Sequence, residues 1–345
     1  MSSKRKMKVG VLMTATVLLA TLAGSAVLAG SKPKPPSGLD TGKVYYAVLQ
    51  HGSNPDRAIW SMLPDGSQKT YLVHVFDQSA TPGMLDASAA LHGGCRWFIG
   101  AMVVAPEPYY VDGTPRVEVV AQSEDGRWVQ LTDIADPNMK ISVARWATHD
   151  GVADGKVSFV KLSVSGGGNY DPVGIDIIAI GWTDAGEPEA LTEPAEVLPL
   201  AGDPGWLYDW SPDGDHVVHE SGGMLYVDDS TTSLCSGGGP KWSPVRSDGS
   251  SLIAFGVGGW GGEIHTIRPD GSGETSIVKV SNNQTLQGIA WSPHGTYLVY
   301  TVHKDPKIMI SVPTNDVYRV RAEGGSTSSL TNDVSEHCYS VGWRE

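Results

Sequence analysis

Three copies of Trp-Ser-Pro, at Trp210, Trp242 and Trp291, constrain this chain more than any other feature. Each is followed by a turn and then a run whose apolar residues alternate: Asp213-Gly214 before "DHVVHE", Asp248-Gly249 before "SSLIAFG", His294-Gly295 before "TYLVYTV". A variable loop and a second alternating run come next, "GMLYVDD", "EIHTIRPDG" and "DVYRVRAEGG", and a short terminal strand such as "SLTND" closes the unit. Alternation with period two is the signature of a strand with two distinct faces, and glycine-bearing turns separate the runs. The unit is therefore a four-stranded antiparallel sheet.

Weaker copies precede these three. Ala144-Arg145-Trp146 leads to "KVSFVKLS" and "IDIIAIGWTDAG"; before it, "ASAALHGG" leads to "CRWFIGAMVV" and "RVEVVAQSEDG". The first copy, "KVYYAVL", "AIWSMLPDG" and "KTYLV", lacks a leading Trp strand, while the chain closes on "CYSVGWRE", a Trp strand with nothing after it. The two fragments add up to one unit. Counting second turns at Gly66, Gly126, Gly186, Ser230, Gly271 and Gly325 gives six units, spaced by about 52 residues against the ~40–45 of standard propeller repeats. One four-stranded sheet cannot bury both faces, but six arranged around an axis cover one another. The expected fold is all-β: a six-bladed β-propeller of four-stranded blades, closed by N- and C-terminal strands sharing one blade. Trp146, Trp210, Trp242, Trp291 and Trp343 then sit at a fixed register, which predicts packing between adjacent blades rather than a ring of ligand-stacking indoles.

The units resemble the WD40-like repeats of the TolB family, through "WSPDGDHVVHE", "WSPVRSDGSSLIAFG", "AIWSMLPDG", "HTIRPDGSG" and the Leu-Thr pairs at Leu131, Leu191 and Leu330. The resemblance runs from about Lys43 to the end and implies the propeller fold. It does not specify a function, since one fold hosts many. TolB itself carries an N-terminal α/β domain, and peptidases of the prolyl-oligopeptidase type join similar repeats to an α/β-hydrolase domain. Neither is expected here, so the expectation is a free-standing propeller.

Ahead of the repeats, Lys4, Arg5, Lys6 and Lys8 precede an apolar stretch and a small-residue site at Val27-Leu28-Ala29, the pattern of a secretory signal peptide over residues 1–29. Residues 30–42, "GSKPKPPSGLDTG", read as a Pro-rich linker and residues 43–345 as the propeller. A periplasmic or secreted bacterial protein is expected. The whole chain of 345 residues carries a formal charge of −13. Cleavage after Ala29 leaves 21 Lys and Arg against 38 Asp and Glu, a formal −17 that opposes nucleic acid and anionic membranes as partners. Cys95, Cys235 and Cys338 form no CxxC pair, which excludes a zinc ribbon and leaves any disulfide pairing open.

Catalytic signatures are sparse. There is no Gly-x-Ser-x-Gly elbow, no His-Glu-x-x-His helix and no EF-hand loop. Gly256 to Gly261 fits GxGxxG, but the glycines lead into the strand "EIHTI" rather than a helix, so a dinucleotide site is not expected. His216 and His219 lie three apart on an expected strand, which would send them to opposite faces. Asp228-Asp229 reads as a turn, and Asn283-Gln284-Thr285 matches a glycosylation sequon of little meaning in a bacterial-type chain. Long, dissimilar loops fall on one end of the propeller and concentrate Tyr109, Tyr110, Tyr170 and Trp260, the aromatics that binding faces favour. Two functions follow. The first expectation is a monomeric, non-enzymatic propeller that binds a protein, peptide or glycan of the cell envelope, with no cofactor. The second is a lyase or hydrolase acting on sugar acids or lactones at the channel mouth, assisted by a divalent metal held by several blades.

Overall fold

The structure is a computed structural model and describes residues 42–50, 56–75, 85–108, 110–147, 155–165, 169–199, 204–258, 262–304, 314–331 and 337–344. Among them every regular element is a strand. Strands β1 (Lys43–Gln50), β2 (Asp56–Met62) and β3 (Thr70–His74) begin blade 1. Blade 2 is β4 (Leu85–His92), β5 (Cys95–Pro108), β6 (Pro115–Ser123) and β7 (Trp128–Gln130). Blade 3 is β8 (Met139–Trp146), β9 (Lys156–Ser165), β10 (Asn169–Trp182) and an outer edge in two pieces, β11 (Pro188–Ala190) and β12 (Ala195–Pro199). Blade 4 is β13 (Pro204–Trp210), β14 (Val217–Ser221), β15 (Met224–Val227) and β16 (Cys235–Ser236). Blade 5 is β17 (Gly238–Trp242), β18 (Ile253–Val257), β19 (Glu263–Ile267) and β20 (Thr275–Lys279). Blade 6 is β21 (Gln284–Trp291), β22 (Tyr297–Lys304), β23 (Thr314–Arg321) and β24 (Ser328–Ser329). Strand β25 (His337–Arg344) then pairs antiparallel with β1 from Lys43↔Arg344 to Leu49↔His337 and completes blade 1.

The fold is thus the six-bladed β-propeller expected from the repeat, closed in blade 1 by strands from both ends of the repeat region. The leading strands of successive blades, β4, β8, β13, β17, β21 and β25, touch one another in a closed cycle and line the axis. Six apolar clusters form the core, and each is one seam between neighbouring blades. Strand β22 shows why the alternation of the sequence is blurred in places: Tyr297 and Val299 pack toward blade 1, Leu298, Tyr300 and Val302 toward blade 5, so six consecutive residues are buried.

The repeated Trp is a seam residue. Trp146, Trp210, Trp242, Trp291 and Trp343 belong to five of the six clusters and are all buried. Three of them also stitch blades by hydrogen bonds: Trp146 Nε1 donates to Trp97 O (3.1 Å), Trp210 Nε1 to Ser158 Oγ (2.8 Å) and Trp291 Nε1 to Lys241 O (2.9 Å). The Ser of Trp-Ser-Pro closes the following hairpin. Ser211 N donates to His216 O, and its buried Oγ accepts from His216 N (2.9 Å); Ser292 does the same with Tyr297 (2.9 and 3.0 Å), and Ser243 with Leu252 (2.7 and 2.8 Å). A buried hydroxyl thus saturates a backbone amide that the tight turn leaves unpaired.

The Leu-Thr pairs have a matching role at the outer edge. Leu131, Leu191 and Leu330 donate their amides to Val119, Ala179 and Val317. The hydroxyls of Thr132, Thr192 and Thr331 accept from the amides of those same three residues, at 2.9, 3.0 and 2.8 Å. The pair extends the outer strand by one pseudo-rung. In blade 4, where Ser230 marked the second turn in sequence, the left-handed position is taken by Asp228 (φ 52°), whose Oδ1 accepts from Val217 N (2.8 Å).

Candidate functional site

The connections between second and third strands, and between blades, share one end of the propeller, which follows from the up-and-down order within every blade. At that end the axial strands of blades 4, 5 and 6 enclose a groove of about 440 Å³. Its wall is unusually bare: Gly237, Gly238, Gly239, Gly256 and Gly258 face it, with Leu207, Leu286 and Ile289 as the apolar part. Among the described residues one acidic group lines it, Glu220, the next-to-last residue of β14. Gly239 N donates to Glu220 Oε2 (3.2 Å), and the other carboxylate oxygen has no hydrogen-bond partner among the described residues. The glycines are what make room for the carboxylate. A Cβ at Gly238 would lie 2.6 Å from Glu220 Oε2, and one at Gly237 would lie 2.4 Å from the Phe255 ring. The run "SGGGPKW" is therefore a groove wall at the head of an axial strand.

At the same end, blades 2 and 3 bring a second constellation together. Tyr110 is buried; its hydroxyl donates to Val117 O and accepts from Val117 N, both at 3.0 Å. Tyr170, half-buried at the start of β10, donates its hydroxyl to Asp112 Oδ2 (2.6 Å). Between the rings lies Lys140 of axial strand β8, with Nζ 4.7 Å from the Tyr170 centroid and 5.4 Å from that of Tyr110. Burial pushes the Lys140 ammonium below the ordinary lysine range, and Asp112 offsets part of that. Asp112 is itself pulled up by burial, but hydrogen bonds from Tyr170 and Thr114 outweigh this and hold its carboxyl below the usual range. The hydrogen bond to Asp112, then burial, raises the Tyr170 phenol.

Of the four loop aromatics singled out in sequence, the structure joins Tyr110 and Tyr170 through Lys140; Tyr109 and Trp260 lie outside the described residues. Tyr110 supports the cluster from beneath instead of presenting its ring to solvent. Lys140, Asp112 and Glu220 were missed. Each is a single charged residue whose partners come from another strand or blade, and the only available signal was the glycine run opposite Glu220.

As expected, His216 and His219 face different sides of the blade: His216, just ahead of β14, stacks near Trp242 of blade 5, while His219 stacks on Tyr226, its partner across the strand pair. His216 Nδ1 meets Asp228 Oδ2 at 2.7 Å and His219 Nε2 meets Asp228 O at 3.0 Å. They are pinned to a turn and not free to form a ligand pair. Among the described residues no three His, Cys, Asp or Glu side chains come together as a metal site. Gly256 and Val257 end β18 and Gly258 begins a loop, so the GxGxxG stretch opens no helix within the described residues. No disulfide is seen at Cys95 or Cys235 among the described residues, and burial, with Glu274 nearby, pushes Cys235 up to about 11.

No family model matches the chain, and no curated protein does. Solved structures do. One, from Bacteroides fragilis, is described as a "putative 6-phosphogluconolactonase"; it is 14% identical, covering 90% of this chain and all of that one, with a TM-score of 0.47. A puromycin hydrolase is 17% identical over 86% of this chain and 46% of that one, with a TM-score of 0.45. A puromycin-hydrolyzing peptidase of Mycobacterium tuberculosis is 13% identical over 85% of this chain and 52% of that one, with a TM-score of 0.44. The chain spans about half the length of these two hydrolases. At such identities the likeness is one of fold. The likeness assigns no activity; the similar propellers are described as a "putative" lactonase and as hydrolases rather than as binding proteins, and the non-enzymatic expectation is not carried forward. By its architecture the chain is a six-bladed β-propeller, and the solved structures similar to it include two that are each described as a "putative 6-phosphogluconolactonase".

Proposed function

We infer that this chain, built from TolB-like repeats, is a hydrolase that opens a small lactone or sugar-acid ester at the channel mouth, with Glu220 as general base. The observation that carries this reading is one half-satisfied carboxylate in a glycine-walled groove. Pockets of this size with a few convergent polar groups are where ligands bind. The glycines allow a flat ester close to the carboxylate, and the Gly239 amide fixes the carboxylate's orientation while leaving the second oxygen to a water. In the step, that water loses a proton to Glu220 as its oxygen bonds to the carbonyl carbon. The carbon–oxygen bond of the ring then breaks, and the proton passes to the departing alkoxide.

The test is hydrolysis of glucono-δ-lactone, followed by acid release against the spontaneous rate. Glu220→Gln keeps the shape and the Gly239 contact but removes the base, and a loss of at least about 100-fold in kcat is expected. Gly238→Ala, which forces the carboxylate aside, should fall with it. Lactone hydrolysis that survives Glu220→Gln unchanged, or no hydrolysis above the spontaneous rate, overturns the assignment.

A further inference from the structure

The geometry points to a second ligand site on the same end of the propeller, where Lys140 holds the carboxylate of a small monoanionic acid at the seam of blades 2 and 3. Lys140 projects from an axial strand and is only half-buried. Its ammonium makes no hydrogen bond and no ion pair among the described residues. What surrounds it are the faces of Tyr110 and Tyr170 and, beyond them, Asp112. Aromatic faces stabilise a cation without filling its N–H donors. Three donors on a partly desolvated ammonium therefore remain available to an anion, which would make short charge-assisted hydrogen bonds there.

The cage around this cation is rigid. Tyr110 is locked by two hydrogen bonds to Val117, Tyr170 by its bond to Asp112, and Asp112 by the amide and hydroxyl of Thr114 (3.0 and 2.7 Å). A cation already fixed in place loses little freedom when an anion arrives. Asp112 also bears on the charge of the ligand. Its oxygens take up Thr114 and Tyr170 and no ion pair joins it to the lysine, yet its negative charge stands beside the site. A dianionic phosphate doubles both its attraction to Lys140 and its repulsion from Asp112, but the cost of taking it out of water grows about as the square of its charge, so a single carboxylate suits one partly desolvated cation better. Elsewhere on the described surface, cations at this end of the propeller are already neutralised: Lys161 by Asp176 (2.9 Å), Lys304 by Asp316. Lys140 differs in having two aromatic walls and no carboxylate in an ion pair, whereas Lys304 has Tyr318 beside it but also Asp316.

This inference does not rest on hydrolysis at the groove, and binding can be read without turnover. The experiment is calorimetric titration of the full chain with sodium gluconate, with inorganic phosphate and glucose as the dianionic and neutral probes. Gluconate is expected to bind more tightly than phosphate, and glucose not to bind. Lys140→Met, which keeps the apolar stem between the rings, should weaken gluconate at least tenfold. Asp112→Asn should act in the opposite direction, tightening both anions and phosphate the more. Equal gluconate affinity in Lys140→Met, phosphate affinity equal to or above that of gluconate, weaker binding in Asp112→Asn, or no gluconate binding at 20 mM would each overturn the assignment.

Discussion

The seam between blades 3 and 4 gives the sharpest test of how the repeated Trp holds the ring. Trp210 Nε1 donates to Ser158 Oγ at 2.8 Å, and the same hydroxyl lies 2.9 Å from Tyr208 OH. Ser158 is fully buried, and Tyr208 OH keeps a second partner, Val143 O, at 3.2 Å. Ser158→Ala therefore strands one donor, the indole N–H, in an apolar seam. Leaving a buried donor unpaired costs about 1–3 kcal/mol, so about 2 kcal/mol is expected. In a Trp210→Phe background the stranded donor no longer exists, and the same Ser158→Ala change should cost about 1 kcal/mol less. Trp210→Ala, which empties the indole volume, should cost about 3–5 kcal/mol. The assay is urea unfolding followed by far-ultraviolet circular dichroism. At a slope of about 3 kcal/mol/M, the Ser158→Ala loss moves the midpoint by about 0.7 M. If Ser158→Ala costs the same with Trp or Phe at 210, the bond contributes nothing across the seam and the reasoning fails.

Two further predictions concern the outer strands and acid stability. Thr331→Val leaves the amide of Val317 without its acceptor in a fully buried setting and should cost about 1–3 kcal/mol in the same urea assay, whereas Thr192→Val, at an exposed copy of the same pair, should cost under about 0.5 kcal/mol because water replaces the hydroxyl. Equal costs would mean that burial does not set the worth of the Leu-Thr pair. Glu263 is held at about 2, from an ordinary 4.5, by hydrogen bonds from Lys279, Ser276 and His265. A depressed carboxylate stabilises the fold above its unfolded value and loses that contribution as pH falls through its folded value. The Tm gap between wild type and Glu263→Gln should be constant above about pH 5 and close between about pH 4.5 and 2; a gap that does not change with acid would refute the pairing.

The parts of this fold legible in the sequence are those the chain states more than once. Trp210, Trp242 and Trp291 recur in one register, and the missing Trp strand before "KVYYAVL" reappears in "CYSVGWRE", so both the blade count and the closure through β25 followed from repetition. The sites are stated once. Lys140 gains meaning only beside Tyr170 and Asp112, which the seam of two blades brings to it, and Glu220 only beside glycines of the next blade. The strand after Asp213-Gly214 begins one residue later than alternation suggests, because Asp228 takes up Val217 N.

Closure through β25 also fixes the order in which the molecule can be assembled. Five seams join segments that follow one another along the chain, so they can be laid down in sequence at modest entropic cost. The sixth joins blade 6 to blade 1, and blade 1 is itself completed by the pairing of β25 with β1, which brings together the most distant segments of the repeat region. Until it forms, the array has two raw flanks, one on β1 and one on blade 6, each showing the apolar row that later becomes the cluster around Trp343. A single rung of pairing, Asn315 with His337, then carries the incoming strand from blade 6 onto blade 1. The ring is thus a latch that shuts once: both flanks vanish in the same event, and neither can be protected before the other.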